Sequence, residues 1–195
     1  IAGYVALLLG VVLLVNYLTR DPQTAPSPRT PAPAPPGREI IATEYKGIKI
    51  ALKSAEIDRG FRMNGAEGPS DSVKFRVGVE ITNTTSTPVD YITWRGHPSR
   101  RFSIAYLNDQ NGLKLDPYTS DAKHMPEGGV YETRIEPNAT VVDYLDFGRP
   151  AGGFPHVTLY LPTININPAA ENKEILSLKI PSEAVKKPGD EDKKP

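Results

Sequence analysis

Cysteine is absent from this chain of 195 residues. Disulfides, thiolate metal centres and cysteine nucleophiles are therefore excluded, and so is a lipobox-type lipid anchor within the stretch. A chain without cysteine suits either side of a membrane, so this count leaves the compartment open. Net charge is lacking too, because 23 basic and 23 acidic residues cancel. That balance argues against a nucleic-acid partner, which a broad basic face would serve. Histidine is scarce: His97, His124 and His156 stand far apart, and none has a second ligand type at metal spacing. Nucleophile signatures such as G-x-S-x-G and S-x-x-K are missing, as is a glycine-rich phosphate loop. Paired acids for glycoside chemistry need only spatial proximity, but no predicted strand end carries a cluster that singles them out. On these grounds no enzymatic activity, cofactor or metal is expected.

The first thing present is an apolar run. Ile1 to Leu18 reads IAGYVALLLGVVLLVNYL, and no charge appears until Arg20. Eighteen helical residues span ~27 Å, close to the ~30 Å of bilayer hydrocarbon. Tyr17 falls where an interfacial aromatic would sit. The pattern predicts a transmembrane helix over 1–19, with the lipid bilayer as its partner. The competing reading is a signal-peptide core. Asn16-Tyr17-Leu18 fits a small-residue cleavage site poorly.

Seven prolines follow between Pro22 and Pro36. Proline cannot continue a helix and favours the extended polyproline conformation. Residues 20–39 are therefore expected to form a disordered, semi-rigid linker, of which 21–38 alone reach ~55 Å when extended. A proline-recognising partner for PSPRTPAPAPP is the alternative. Arg20, Arg29 and Arg38 against Asp21 weakly favour a cytoplasmic side for this linker.

From Glu44 the apolar period becomes two. In YKGIKIALKSAEI, Ile48, Ile50 and Leu52 share one face, with Lys49 and Lys53 on the other. In SVKFRVGVEITN, Val73, Phe75, Val77, Val79 and Ile81 alternate with polar residues and glycine, which predicts one buried and one wet face. Further strands are expected in VDYITW, RFSIAYL, GLKLDPY, GVYETRI, VVDYLDF, HVTLYLP and EILSLKI. Turn chemistry separates them, with Asn111-Gly112 as a hairpin dipeptide. About nine strands and no convincing amphipathic helix predict an all-β fold, an immunoglobulin-like antiparallel β-sandwich over 40–182. The mixed-charge EAVKKPGDEDKKP of 183–195 reads as a disordered tail.

Two motifs favour bland readings. NDQNG carries Asp109 and Asn111 ahead of Gly112, but Leu107 and Tyr118 occupy the terminal ligand positions of a calcium loop. A hairpin explains it better, and Asp116 with Asp121 is a remote non-helical alternative. Asn83-Thr84-Thr85 and Asn138-Ala139-Thr140 match glycosylation acceptors but fall in turns, where these residues are favoured anyway.

One concentration stands out, in DYITWRGHPSRRF. Tyr91, the sole Trp94, Arg95, His97, Arg100 and Arg101 fall within eleven residues. Tryptophan, tyrosine and arginine dominate interaction hot spots, so these six form the candidate binding site. In that reading the arginines rim a loop and meet a protein or an anionic envelope ligand. The other reading makes Trp94 a core residue of the sandwich.

FRVGVEITNTTSTPVDYITW, LNDQNGLKL, IEPNATVVDYLDFGRP, LYLP and LKIP together resemble a group of bacterial proteins. These are membrane-anchored proteins, common in planctomycete-type genomes, with an immunoglobulin-like domain of unknown function. The resemblance covers roughly residues 44–181. It implies a β-sandwich carried behind a single transmembrane helix and a low-complexity spacer. It supplies no catalytic residues, and it implies a single-pass membrane protein whose domain lies outside the cytoplasm. The resulting expectation is a membrane-tethered, non-enzymatic binding module displayed on a stalk. A sensory ectodomain signalling to an upstream cytoplasmic module is the alternative, and a cell-envelope hydrolase is the remote third.

Overall fold

A computed structural model describes residues 41–57, 60–63, 75–96, 104–118, 125–167 and 174–188. The chain divides into Ile1–Arg38 and Glu39–Pro195. The first unit, with the expected transmembrane helix and most of the linker, lies outside the described residues. Among the described residues, no helix is long and apolar enough to cross a membrane.

The second unit is all-β. Its strands are β1 (Ala42–Tyr45), β2 (Ile48–Ile57), β3 (Phe75–Asn83), β4 (Val89–Ile92), β5 (Tyr106–Asn108), β6 (Lys114–Leu115), β7 (Glu132–Ile135), β8 (Thr140–Phe147), β9 (His156–Pro162), β10 (Ile175–Pro181) and β11 (Val185–Lys186). The helical content described is two 3₁₀ turns, Thr163–Asn165 and Ser182–Ala184. One sheet runs β1-β2-β3-β8, with β11 also on β2; a second runs β10-β9-β5-β6; β4 and β7 form a third pair. Every pairing is antiparallel except β11 with β2. This arrangement is consistent with a β-sandwich.

Period-two patterning accounts for the core rows. Ile57, Phe75 and Phe147 align across β2, β3 and β8; so do Ala55, Val77 and Leu145, and Ile50, Ile81 and Val141. From the second sheet, Leu178, Leu159, Leu107 and Leu115 form one row. Residues of both sheets share one hydrophobic cluster. Strand β2 keeps its apolar side inward only because it slips phase. The register shifts between Leu52 and Ser54, so Ile48 and Ile50 before the bulge and Ala55 and Ile57 after it all face the core.

Hairpin turns follow the sequence. Lys46 and Gly47 connect β1 and β2 with φ of 48° and 78°, the left-handed pair that matches strand twist. In NDQNG, Asp109 Oδ1 accepts from the backbone N–H of Asn111 (2.8 Å) and Leu113 (2.9 Å), and Gly112 has φ 77°. The β5–β6 hairpin is thus built as expected.

Three expectations are corrected. The fold runs past residue 182: Val185 is buried and pairs with Ala55, so the first part of the expected tail is core. RFSIAYL supplies a strand only at Tyr106–Asn108 among the described residues. The outer side of β3 is not simply wet, because Arg76 is 8% exposed and ion-paired to Asp146. Val73 of that segment lies outside the described residues.

Candidate functional site

The Tyr91–Arg95 segment leaves β4 and turns its large side chains inward. Tyr91, Trp94 and Arg95 are each 0% exposed. Trp94 packs edge-on against Tyr91 with ring centroids 5.0 Å apart, and its indole N–H donates to the Pro162 carbonyl at 2.9 Å. Trp94 is therefore a satisfied core residue. The backbone past β4 is held by Asn165, whose Nδ2 donates to the carbonyls of Ile92 (3.2 Å) and Thr93 (3.1 Å).

Asp143 organises the interior. In β8 it occupies the inward phase of Val141, Leu145 and Phe147, opposite Val79. Its Oδ2 accepts from the Tyr91 hydroxyl at 2.6 Å and the Thr93 hydroxyl at 2.8 Å. Its Oδ1 accepts from the N–H of Tyr144 at 2.8 Å and of Val130 at 3.3 Å, and lies 3.2 Å from Arg95 Nη1. The Arg95 guanidinium donates onward to the carbonyls of Tyr144 (2.6 Å) and Val130 (2.8 Å). Gly129 makes room, since a Cβ there would lie 3.1 Å from Arg95 Nη1.

Burial pushes the Asp143 carboxyl above the usual aspartate range, against the opposing pull of Arg95, Tyr91 and Thr93. Burial, and then the charge of Asp143, push the Tyr91 phenol well up. A phenol held this way stays a hydrogen-bond donor across ordinary pH. The network is sealed from solvent, with neither Asp143 nor Tyr91 open to a substrate, and Arg95 Nε is left without a hydrogen-bond partner.

These positions differ from the expected loop rim. Arg95 faces the core because Asp143 gives it an internal counter-charge. Tyr91 and Trp94 bury apolar area that a strand-end loop would leave wet. His97, Arg100 and Arg101 lie outside the described residues, as do His124 and Asp121.

A second ion pair covers the other face of the same sheet. Arg76 forks onto Asp146, with Nε at 2.6 Å from Oδ1 and Nη2 at 2.8 Å from Oδ2. Its guanidinium also lies 4.5 Å from the Phe61 ring centroid. Gly78 beside it admits no side chain, since a Cβ would sit 2.7 Å from Ser54 Oγ and 2.9 Å from Tyr144 Cε1. Asn83 is fully buried and holds its loop through Thr87, Ile135 and Thr85, so the first glycosylation-like motif is structural. Among the described residues, no group of three His, Cys, Asp or Glu is placed to hold a metal ion.

Sequence reasoning missed Asp143, although a signal was present. A charged residue in the apolar phase of VVDYLDF is what a buried counter-ion looks like. Arg76 gave no such signal, because its phase is the polar one.

Two open concavities lie at opposite ends of the five-stranded sheet. One, of about 330 Å³, sits at the Lys46–Gly47 end and is lined by Tyr45, Lys46, Thr87 and Asp90 among others. The other, of about 400 Å³, sits at the Ile57 end.

No family model matches this chain, and a search of curated proteins finds no relative. Solved structures similar to it include the yjhA protein from Bacillus subtilis, at 14% identity over 75% of this chain and 95% of that one, with a TM-score of 0.47. They also include the ycdA protein from the same species, at 13% identity over 75% of this chain and 40% of that one, with a TM-score of 0.48.

Proposed function

We propose that this protein is a non-enzymatic binding module. In this reading an immunoglobulin-like β-sandwich is held to a membrane by the Ile1–Leu18 helix and presented outside the cytoplasm on the 20–39 linker. One observation carries the non-enzymatic part. The two buried ionisable clusters among the described residues, Asp143 with Tyr91 and Arg95, and Asp146 with Arg76, are engaged by main-chain and side-chain partners, and the other ion pairs, such as Arg134 with Asp90 and Glu136, are solvated surface pairs. A hydrolase needs such groups facing a substrate. Among the described residues, loop-lined hollows at the strand ends face solvent, the part of a sandwich fold that carries recognition.

The test uses the full-length protein. Protease added to intact spheroplasts is expected to release a resistant fragment beginning near residue 39. Protection until lysis would put the domain in the cytoplasm and overturn the displayed part of the proposal. Purified protein is expected to bind an envelope fraction saturably and to turn over no ester, phosphoester or glycoside substrate. Turnover that survives purification would overturn the non-enzymatic part.

A further inference from the structure

The outer face of the β10-β9-β5-β6 sheet carries a short stack of rings. Tyr160 of β9 and Tyr106 of β5 stand directly opposite each other, half-buried, on the side away from the core residues Leu159 and Leu107. Their rings lie 15° from parallel with centroids 4.7 Å apart. That separation matches the spacing of neighbouring strands, so the rings stand upright and face along the sheet from strand to strand. The Lys114 ammonium, 4.8 Å from the Tyr106 centroid, covers the outer face of that ring. Among the described residues no ring or cation covers the other end of the stack, the face of Tyr160 turned toward β10.

The residue of β10 opposite Tyr160 is Ser177, exposed and small. A ring laid on the open face of Tyr160 at the same spacing stands over Ser177, whose short side chain leaves it room. Ile175 and Lys179 flank this place, both exposed, each two residues along the same face and roughly 7 Å away. Lys114 is answered by Asp116 at 3.0 Å, but no carboxylate among the described residues pairs with Lys179. The hydroxyls of Ser177 and of Thr158, which sits beside Lys179 on β9, likewise bond to no side chain among the described residues. An aromatic side chain of a partner protein would cut these hydroxyls off from water. A sugar ring would not. Its C–H face packs on the electron-rich face of Tyr160, and its hydroxyls meet those of Ser177 and Thr158. A carboxylate on that sugar meets Lys179.

We propose that this sheet face binds an acidic glycan, with one carboxylate-bearing sugar stacked on Tyr160 above Ser177. The inference rests on the binding-module reading and adds to it a ligand class and the face that takes it.

Full-length protein in an uncharged maltoside micelle is titrated calorimetrically with tetragalacturonate and, separately, with a hyaluronate tetrasaccharide. Saturable binding of at least one is expected. Its methyl ester, which keeps the rings and loses the charge, should bind about tenfold more weakly, the scale of one lost charge-assisted hydrogen bond. Lys179→Gln should bring the acid down to the level of the ester. Ser177→Phe is the decisive variant, because it lays the protein's own ring on Tyr160. It is expected to abolish binding with no fall in the melting temperature of the unliganded protein. Tyr160→Leu keeps an apolar side chain beside Tyr106 and should weaken binding too. No saturable binding of either acid, equal binding of acid and ester, or wild-type affinity in Ser177→Phe or Lys179→Gln overturns the proposal. Tighter binding of a random copolymer of glutamate and tyrosine, lost in the same variants, also overturns it and gives the face to an acidic protein. If saturable binding to an envelope fraction persists after such a failure, the face assignment alone falls. If envelope binding fails too, the module reading falls with it.

Discussion

Trp94 shows how one side chain can satisfy two needs at once. Its rings fill the space beside Tyr91, and its N–H closes a carbonyl at the end of β9. Trp94→Ala is expected to destabilise the domain by about 3–5 kcal/mol in chemical denaturation. Unchanged stability would remove it from the core. Asp143 provides a second expectation at this scale, read against pH. Its carboxyl is raised by burial, so the folded state keeps this proton to higher pH than the unfolded chain does. Its contribution to stability is therefore fullest below the ordinary aspartate range and declines as pH climbs through the raised value. Relative to Asp143→Asn, the wild type should lose melting temperature over that interval. A difference that stays flat with pH would exclude Asp143 as the titrating group. Both residues were visible in the sequence, but unequally. Trp94 could be read as core or as surface, because composition alone does not say which way a strand-end aromatic turns. Asp143 was legible from its phase. Its partner Arg95 was not, since the two lie far apart in the chain and meet only once β8 stands beside the Val130 segment.

At the scale of elements, the Arg95–Asp143 pair takes the place of a neighbouring strand along the edge of β8. It answers both the N–H and the C=O of Tyr144 and both the N–H and the C=O of Val130. Arg95→Ala is expected to cost about 3–5 kcal/mol, because it strands a buried carboxylate. A buried ion pair can often be replaced by apolar residues at little cost. Here the double variant Arg95→Met with Asp143→Leu should remain destabilised by about 2 kcal/mol or more, since four main-chain groups lose their partners. Wild-type stability in that double variant would show that the pair does not close the edge. The strands themselves were readable because alternation survives in nearly all of them. β2 is the instructive exception. Lys53 falls at its bulge, and the apolar positions change parity there, so a single period of two describes each half but not the whole. β1 and β11 escaped notice because each is short and lies in a polar or charged stretch without the alternating apolar flanks that marked β4, β6 and β7.

For the whole domain, β2 carries two segments on one edge. β1 pairs with its first half, and β11, from the far end of the chain, pairs with Ala55 and Glu56 in its second half. Truncation after Ser182 removes buried Val185 and is expected to cost about 1.5–3 kcal/mol, whereas truncation after Pro188 should be neutral. Equal stability of the two truncations would make β11 dispensable. This boundary was misread because charge and proline dominate the last thirteen residues and mask one valine that the fold needs. The shared edge also brings Ile41, hydrogen-bonded to Leu52, and Lys186, opposite Glu56, onto the same side of a single strand. At ~3.3 Å per residue along β2, they lie roughly 13 Å apart. The domain is thus nearly a closed loop of chain. A circularly permuted version, with 41 joined to 188 by about eight flexible residues and reopened at the Asn111–Gly112 turn, should reach the same native state with the same far-ultraviolet circular dichroism.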